Sequence, residues 1–145
     1  MKLITKDVDY AVKTLKYMAR SGDRTHTVAE LSGELDISLA YLRKILQQLS
    51  KKGVVSSSKG KSGGFSLGRS PGDISLYDLV LTFQGQFKLS NCRAGEEPCP
   101  EQTRCLVRKN VQEIEAFTRR KFQSLTLGTM LACPPGDSRE DSLLF

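Results

Sequence analysis

The hydrophobic period of this chain changes abruptly at Gly53, and that change limits the folds open to it more than any other feature. Before Gly53, apolar residues recur at the three- and four-residue spacing of amphipathic helices. Val8, Ala11, Val12, Leu15, Met18 and Ala19 mark the apolar face of a first helix. Thr5 is placed to cap it, and Asp7 and Asp9 lie in the first turn, where the helix dipole favours carboxylates. Ser21-Gly22-Asp23 ends it. Thr27-Val28-Ala29-Glu30 reads as a capping box that opens a second helix burying Val28, Leu31 and Leu35. After a turn at Asp36-Ile37, Ser38 caps a third helix whose Leu39, Leu42, Ile45, Leu46 and Leu49 face the core.

Beyond Gly53 the chain reads as extended. Val54 to Ser58 forms one strand and Phe65-Ser66-Leu67 another, joined by the basic, glycine-rich hairpin Lys59 to Gly64. Helix, helix, turn, helix and a two-stranded ribbon is the order of a winged helix-turn-helix unit, expected over residues 1–72. The fold class is therefore mainly α with a small β-hairpin wing. Residues 73–131 add a short helix capped by Ser75-x-x-Asp78, with Leu76, Leu79, Val80 and Phe83 on one face. An irregular stretch over 84–104 follows, then a long helix from near Cys105 to about Phe122. Val107, Val111, Ile114 and Phe117 form an apolar stripe on that helix which so small a unit has little left to cover, so a second copy of the chain is the expected partner. Residues 132–145, rich in Pro, Gly and charge, are expected to be disordered.

Charge then narrows the function. Residues 1–70 carry thirteen basic and six acidic side chains, a balance of +7, whereas residues 71–145 balance at −1. From Ser38 to Arg69 there are seven cations and no carboxylate. Ordinary solvated faces mix both signs, so this stretch points to a polyanion, and the fold to double-stranded DNA. A helix-turn-helix sets the start of its second helix in the major groove. Ser38 and the free N–H groups of that first turn suit a phosphate, Arg43 the O6/N7 edge of guanine, and Ala40 and Tyr41 a thymine methyl or the backbone. Lys44, Gln47, Lys51 and Lys52 lie where they reach phosphates, Lys59 or Lys61 suits the minor groove, and Gly63 and Gly64 allow close approach to the duplex.

Cys92, Cys99 and Cys105 are spaced seven and six positions apart in a Gly/Pro-containing loop that leads into the long helix. Without a signal peptide the expected compartment is the cytoplasm, where structural disulfides are rare, so metal or redox chemistry is expected. No Cys-x-x-Cys knuckle supports zinc, so an iron–sulfur cluster of 2Fe–2S or 4Fe–4S type is the first expectation, with a redox-switched thiol set, zinc or no function for the trio as the alternatives. His26 reads as a solvated loop residue and Cys133 as a bystander. No catalytic constellation accompanies the single histidine, so an enzyme is not expected.

Several segments together resemble the bacterial family of winged-helix regulators that includes the IscR and NsrR types. They are Lys2-Leu3, Asp9-Tyr10-Ala11-Val12, Ile37 to Leu42, Leu49-x-x-x-Gly53-Val54-Val55, Gly60-x-x-Gly63-Gly64-Phe65-x-Leu67, the cysteine trio and Leu125 to Gly128. The resemblance implies a homodimer paired through the long helix, a near-palindromic operator, and an iron–sulfur cluster on Cys92, Cys99 and Cys105 that senses nitric oxide, redox or iron status. Arg108 stands where the IscR type has its histidine ligand, whereas Asp9 falls where the NsrR type takes an aspartate from the partner subunit. Arg43 replaces a glutamate of the IscR type, so the operator sequence does not transfer. The alternative is a cluster-free regulator of the same fold, switched by cysteine oxidation or a small ligand.

Overall fold

A computed structural model describes residues 2–89, 99 and 104–133. Three helices come first: α1 (Lys6–Arg20), α2 (Val28–Leu35) and α3 (Leu39–Lys51). The antiparallel hairpin β1 (Val55–Ser58) and β2 (Gly64–Leu67) follows, pairing Val55 with Leu67 and Ser58 with Gly64. After a 3-10 turn at Pro71–Asp73 come α4 (Leu76–Gln84), α5 (Leu106–Ser124) and α6 (Leu127–Ala132). The expected order is present, and it is the winged-helix arrangement. No described helix is long and apolar enough to cross a membrane.

The core is aliphatic. Val8, Ala11, Leu15 and Met18 of α1 pack with Leu31 of α2 and with Leu42, Ile45, Leu46 and Leu49 of α3, all essentially inaccessible to water. Leu39 departs from the expected pattern. It is the first residue of α3 and 40% exposed, because the helix begins at the edge of the core. Gly53, at φ +69°, takes the left-handed turn that ends α3 and feeds Val54 and Val55 into the core.

The same core continues past residue 72. Ile74, Leu76, Leu79, Val80 and Leu127 are buried against it. The backbone closes this region with two reciprocal bonds: Leu76 N–H donates to the Leu125 carbonyl and Leu127 N–H to that of Ile74, both at 2.8 Å. Ser75 and Asp78 form the expected reciprocal cap of α4. Thr126 and Thr129 cap α6 in the same way, a helix the apolar pattern alone does not announce. Thr5 precedes α1 but makes no side-chain cap. Its N–H and hydroxyl both donate to Gln84 Oε1, at 3.1 and 3.3 Å, and so tie the start of α1 to the end of α4.

Helix α5 is built differently. None of its residues is buried, and Leu106, Val107, Ile114 and Phe117 are 73%, 72%, 53% and 57% exposed. Val107, Ile114 and Phe117 of the expected stripe are thus left exposed by the chain's own described residues, and Val111 is half-buried. Ala132, expected in a disordered tail of 132–145, is instead the last residue of α6; residues 134–145 of that tail and most of the irregular stretch, Cys92 included, lie outside the described residues.

Candidate nucleic-acid interface

Helix α3 presents two faces with opposite chemistry. Leu42, Ile45, Leu46 and Leu49 point inward, which turns Ala40, Arg43, Lys44, Gln47 and Lys51 outward at helical spacing, and all five are exposed. Ser38 caps the helix by accepting from Tyr41 N–H at 3.4 Å and is itself exposed. Tyr41 is positioned differently from its neighbours. It is half-buried, its ring meets Tyr10 edge-on at 5.5 Å, and its hydroxyl donates to Asp7 of α1. The bond to Asp7, followed by burial, pushes the phenol up to about 12. The hydroxyl is therefore engaged within the protein, and only the ring edge remains for an outside partner.

The hairpin carries Lys59 and Lys61 at an exposed tip, turned by Gly60 at φ +111° with Gly63 N–H donating to the Gly60 carbonyl at 3.0 Å. Gly63 and Gly64 have an internal reason to be glycine. A Cβ at Gly63 would lie 2.7 Å from the Ser58 carbonyl oxygen, and one at Gly64 2.3 Å from that of His26. Arg69 closes the carboxylate-free stretch but is committed elsewhere: its guanidinium donates to the carbonyls of Lys52 (3.0 Å) and Gly53 (3.4 Å). It pins the base of the wing to the end of α3.

Among the described residues the ion pairs are Lys13 with Asp9 and Arg24 with Glu30, and His26 Nδ1 also lies 3.2 Å from the Glu30 carboxylate. Arg43, Lys44, Lys51, Lys59 and Lys61 take part in none of them, so no carboxylate among the described residues neutralises these cations. That is the electrostatic arrangement expected of a surface that displaces counterions from a phosphate backbone.

His26 is not a solvated loop residue. It is fully buried, and its N–H and carbonyl exchange hydrogen bonds of 2.7 and 2.8 Å with Phe65, a single β-bridge that ties it to the wing. The sequence hid this because the pairing is long-range. Nor does the expected Thr27–Glu30 capping box close. Thr27 accepts from Glu30 N–H at 3.1 Å, but the Glu30 carboxylate turns to His26 Nδ1, 3.2 Å away, and to the Arg24 guanidinium. Arg24, chiefly, holds the Glu30 carboxyl below its ordinary range.

Two of the expected cluster cysteines are described. Cys99 is exposed, and Cys105 is half-buried at the N-terminus of α5, where its Sγ accepts from Arg108 N–H at 3.5 Å. Asp9 lies on α1 and is paired with Lys13 Nζ at 2.7 Å. Among the described residues no three His, Cys, Asp or Glu side chains gather as a metal site.

Residues 4–133 match the Rrf2 family of iron-dependent transcriptional regulators. The chain belongs to the Rrf2 family. It is accordingly a transcriptional regulator and not an enzyme. Among its relatives, the transcriptional repressor NsrR of Streptomyces coelicolor is 26% identical over 135 residues, covering 92% of this chain and 90% of that one. Two solved structures share the fold of this Rrf2 protein. CymR, the global cysteine regulator of B. subtilis, superposes with a TM-score of 0.74 at 21% identity, over 91% of this chain and 98% of that one. IscR of T. potens does so with a TM-score of 0.69 at 22% identity, over 91% and 87%.

Proposed function

We propose that this Rrf2 regulator is a homodimeric repressor whose hold on a near-palindromic operator is controlled by an iron–sulfur cluster sensing nitric oxide, redox or iron status. The observation that carries the DNA-binding part is the set of unpaired cations on α3 and the wing. In this reading residues 1–72 read DNA, with Arg43 on a guanine edge and Ser38, Ala40, Tyr41, Lys44, Gln47, Lys51, Lys59, Lys61, Gly63 and Gly64 at the backbone or groove. Residues 73–131 hold the cysteine loop and pair the two subunits through the exposed apolar face of α5.

The donor set suits such a cluster. Cys92, Cys99 and Cys105 supply three thiols, and Cys105 stands at the start of α5, where the loop enters the helix. Asp9 of the partner subunit is the candidate fourth ligand, a harder donor than thiolate, and it must exchange its bond to Lys13 to serve. The cluster, when bound, supplies a reactive centre whose loss or alteration changes the charge and geometry of the loop between the winged unit and α5. A coupling of about 1–3 kcal/mol gives roughly 5- to 150-fold control over DNA affinity.

The test is anaerobic purification with visible spectroscopy and counting of iron and sulfide. Iron and acid-labile sulfide in equal amounts, lost in Cys99→Ala, support the reading. A colourless protein without iron, after reconstitution with ferrous iron and sulfide, overturns it. The exposed free thiol of Cys99 then favours the second reading, a cluster-free regulator switched by cysteine oxidation.

A further inference from the structure

His26 holds a buried polar atom that the fold does not use. Its Nε2 is inaccessible to water and has no hydrogen-bond partner among the described residues. Glu30, whose carboxyl Arg24 holds low, only accepts hydrogen bonds, so His26 Nδ1 is the donor of that pair and Nε2 is left without a partner among the described residues. Burying such an atom is costly, and a phenylalanine of similar shape avoids the cost. What histidine provides is a connection. Its backbone is bonded both ways to Phe65 of the wing, its Nδ1 to the first turn of α2, and its ring meets Tyr17 of α1 edge-on at 5.8 Å. One residue therefore joins the wing to both helices that support α3. The close approach of Gly64 to the His26 carbonyl leaves this joint no slack. Glu30 gives up its local capping bond to take part.

We propose that His26, with Glu30, is a positioning residue for DNA binding: it fixes the angle at which the wing presents Lys59 and Lys61 relative to α3. This rests on the proposed function, in which the wing touches DNA. The proposal predicts a split between stability and binding. His26→Phe keeps the ring and removes both the unsatisfied nitrogen and the bond to Glu30, so its thermal midpoint should match or exceed that of the native chain while DNA binding weakens. Glu30→Ala should weaken binding in the same way, and Glu30→Gln, which still accepts from Nδ1, should restore it.

The deciding experiment is a double-mutant cycle with the Lys59→Ala/Lys61→Ala pair, using a fluorescent duplex selected from random DNA by the native protein. In the native background, losing both lysines should weaken binding about 10-fold at 0.1 M salt and flatten the salt dependence by about 2–4 in log–log slope. In the His26→Phe background, the slope should already be flattened and the lysine pair should matter less than about 2-fold. If the lysines cost the same in both backgrounds, His26 does not position the wing, although the wing still contacts DNA. If they cost nothing in the native background, the wing contact itself is wrong and the positioning role falls with it. If His26→Phe does not fold, the cycle is read in Glu30→Ala, a change to a partly exposed side chain, with the same two outcomes.

Discussion

Tyr41→Phe deletes one hydroxyl from the junction of α1 and α3, and its cost follows from the surroundings of that group. A hydrogen bond to a charged acceptor contributes about 1.5–3 kcal/mol. Asp7 is half-exposed in the first turn of α1, so water and the positive helix end take over much of what the phenol supplies. The ring and its edge contact with Tyr10 survive the change. The net loss should therefore be about 1 kcal/mol, a fall of about 3–4 °C in Tm for a chain of this size. The sign of the pH dependence is fixed as well. The folded phenol is raised to about 12, above its ordinary value of about 10, so its contribution is full below pH 10 and fades as pH rises towards 12. Calorimetry from pH 7 to 11 should show a constant gap between native and variant that narrows above pH 10. Alkaline difference spectroscopy should show one of the four tyrosines titrating near 12 in the native protein, a step missing from the variant. An unchanged or raised Tm, together with no late tyrosine step, would refute the reasoning.

Three further outcomes are expected. Arg43→Ala should cost about 1–3 kcal/mol on the best DNA site and relax preference at one base pair per half-site, as read by competition binding; equal weakening on specific and random DNA would make Arg43 a phosphate contact. Leu46→Ala, in a fully buried side chain of the core, should cost about 2–5 kcal/mol in urea unfolding with little change in m-value. Asp9→Ala should leave folding and dimerisation intact by circular dichroism and sedimentation while making the reconstituted cluster easier to lose; wild-type cluster stability and response would exclude the aspartate as ligand.

The parts of the fold legible in the sequence are those set by local chemistry. The stripes of α1 and α3, the Ser75–Asp78 cap, the stop at Gly53 and the basic hairpin depend on residues within a turn or two of each other. The departures lie where distant chain segments meet. Thr5 is drawn from its cap by Gln84, Glu30 by Arg24 and His26, and Tyr41 inward by Asp7. Buried Ile74 and helix α6 depend on the pairing of Ser75 with Thr126, which no period announces. Gly63 and Gly64 were legible as special positions, but the sequence could not show that the close neighbours are Ser58 and His26. The pair of threonines at 126 and 129 was the one overlooked local signal. At the candidate site, the outward cations of α3 were legible from helical phase, because the inward residues fix where the others point.

The most direct test of the account is the affinity of the anaerobically prepared protein for a selected duplex, measured across a salt series with the proposed cluster loaded and with it removed. Contacts from about three or four cations per subunit predict a log–log slope near −5 to −7 in the binding-competent state. Control through the cysteine loop predicts affinities that differ about 5- to 150-fold between the two states. A slope near −1, or equal affinity with and without the cluster, would contradict it.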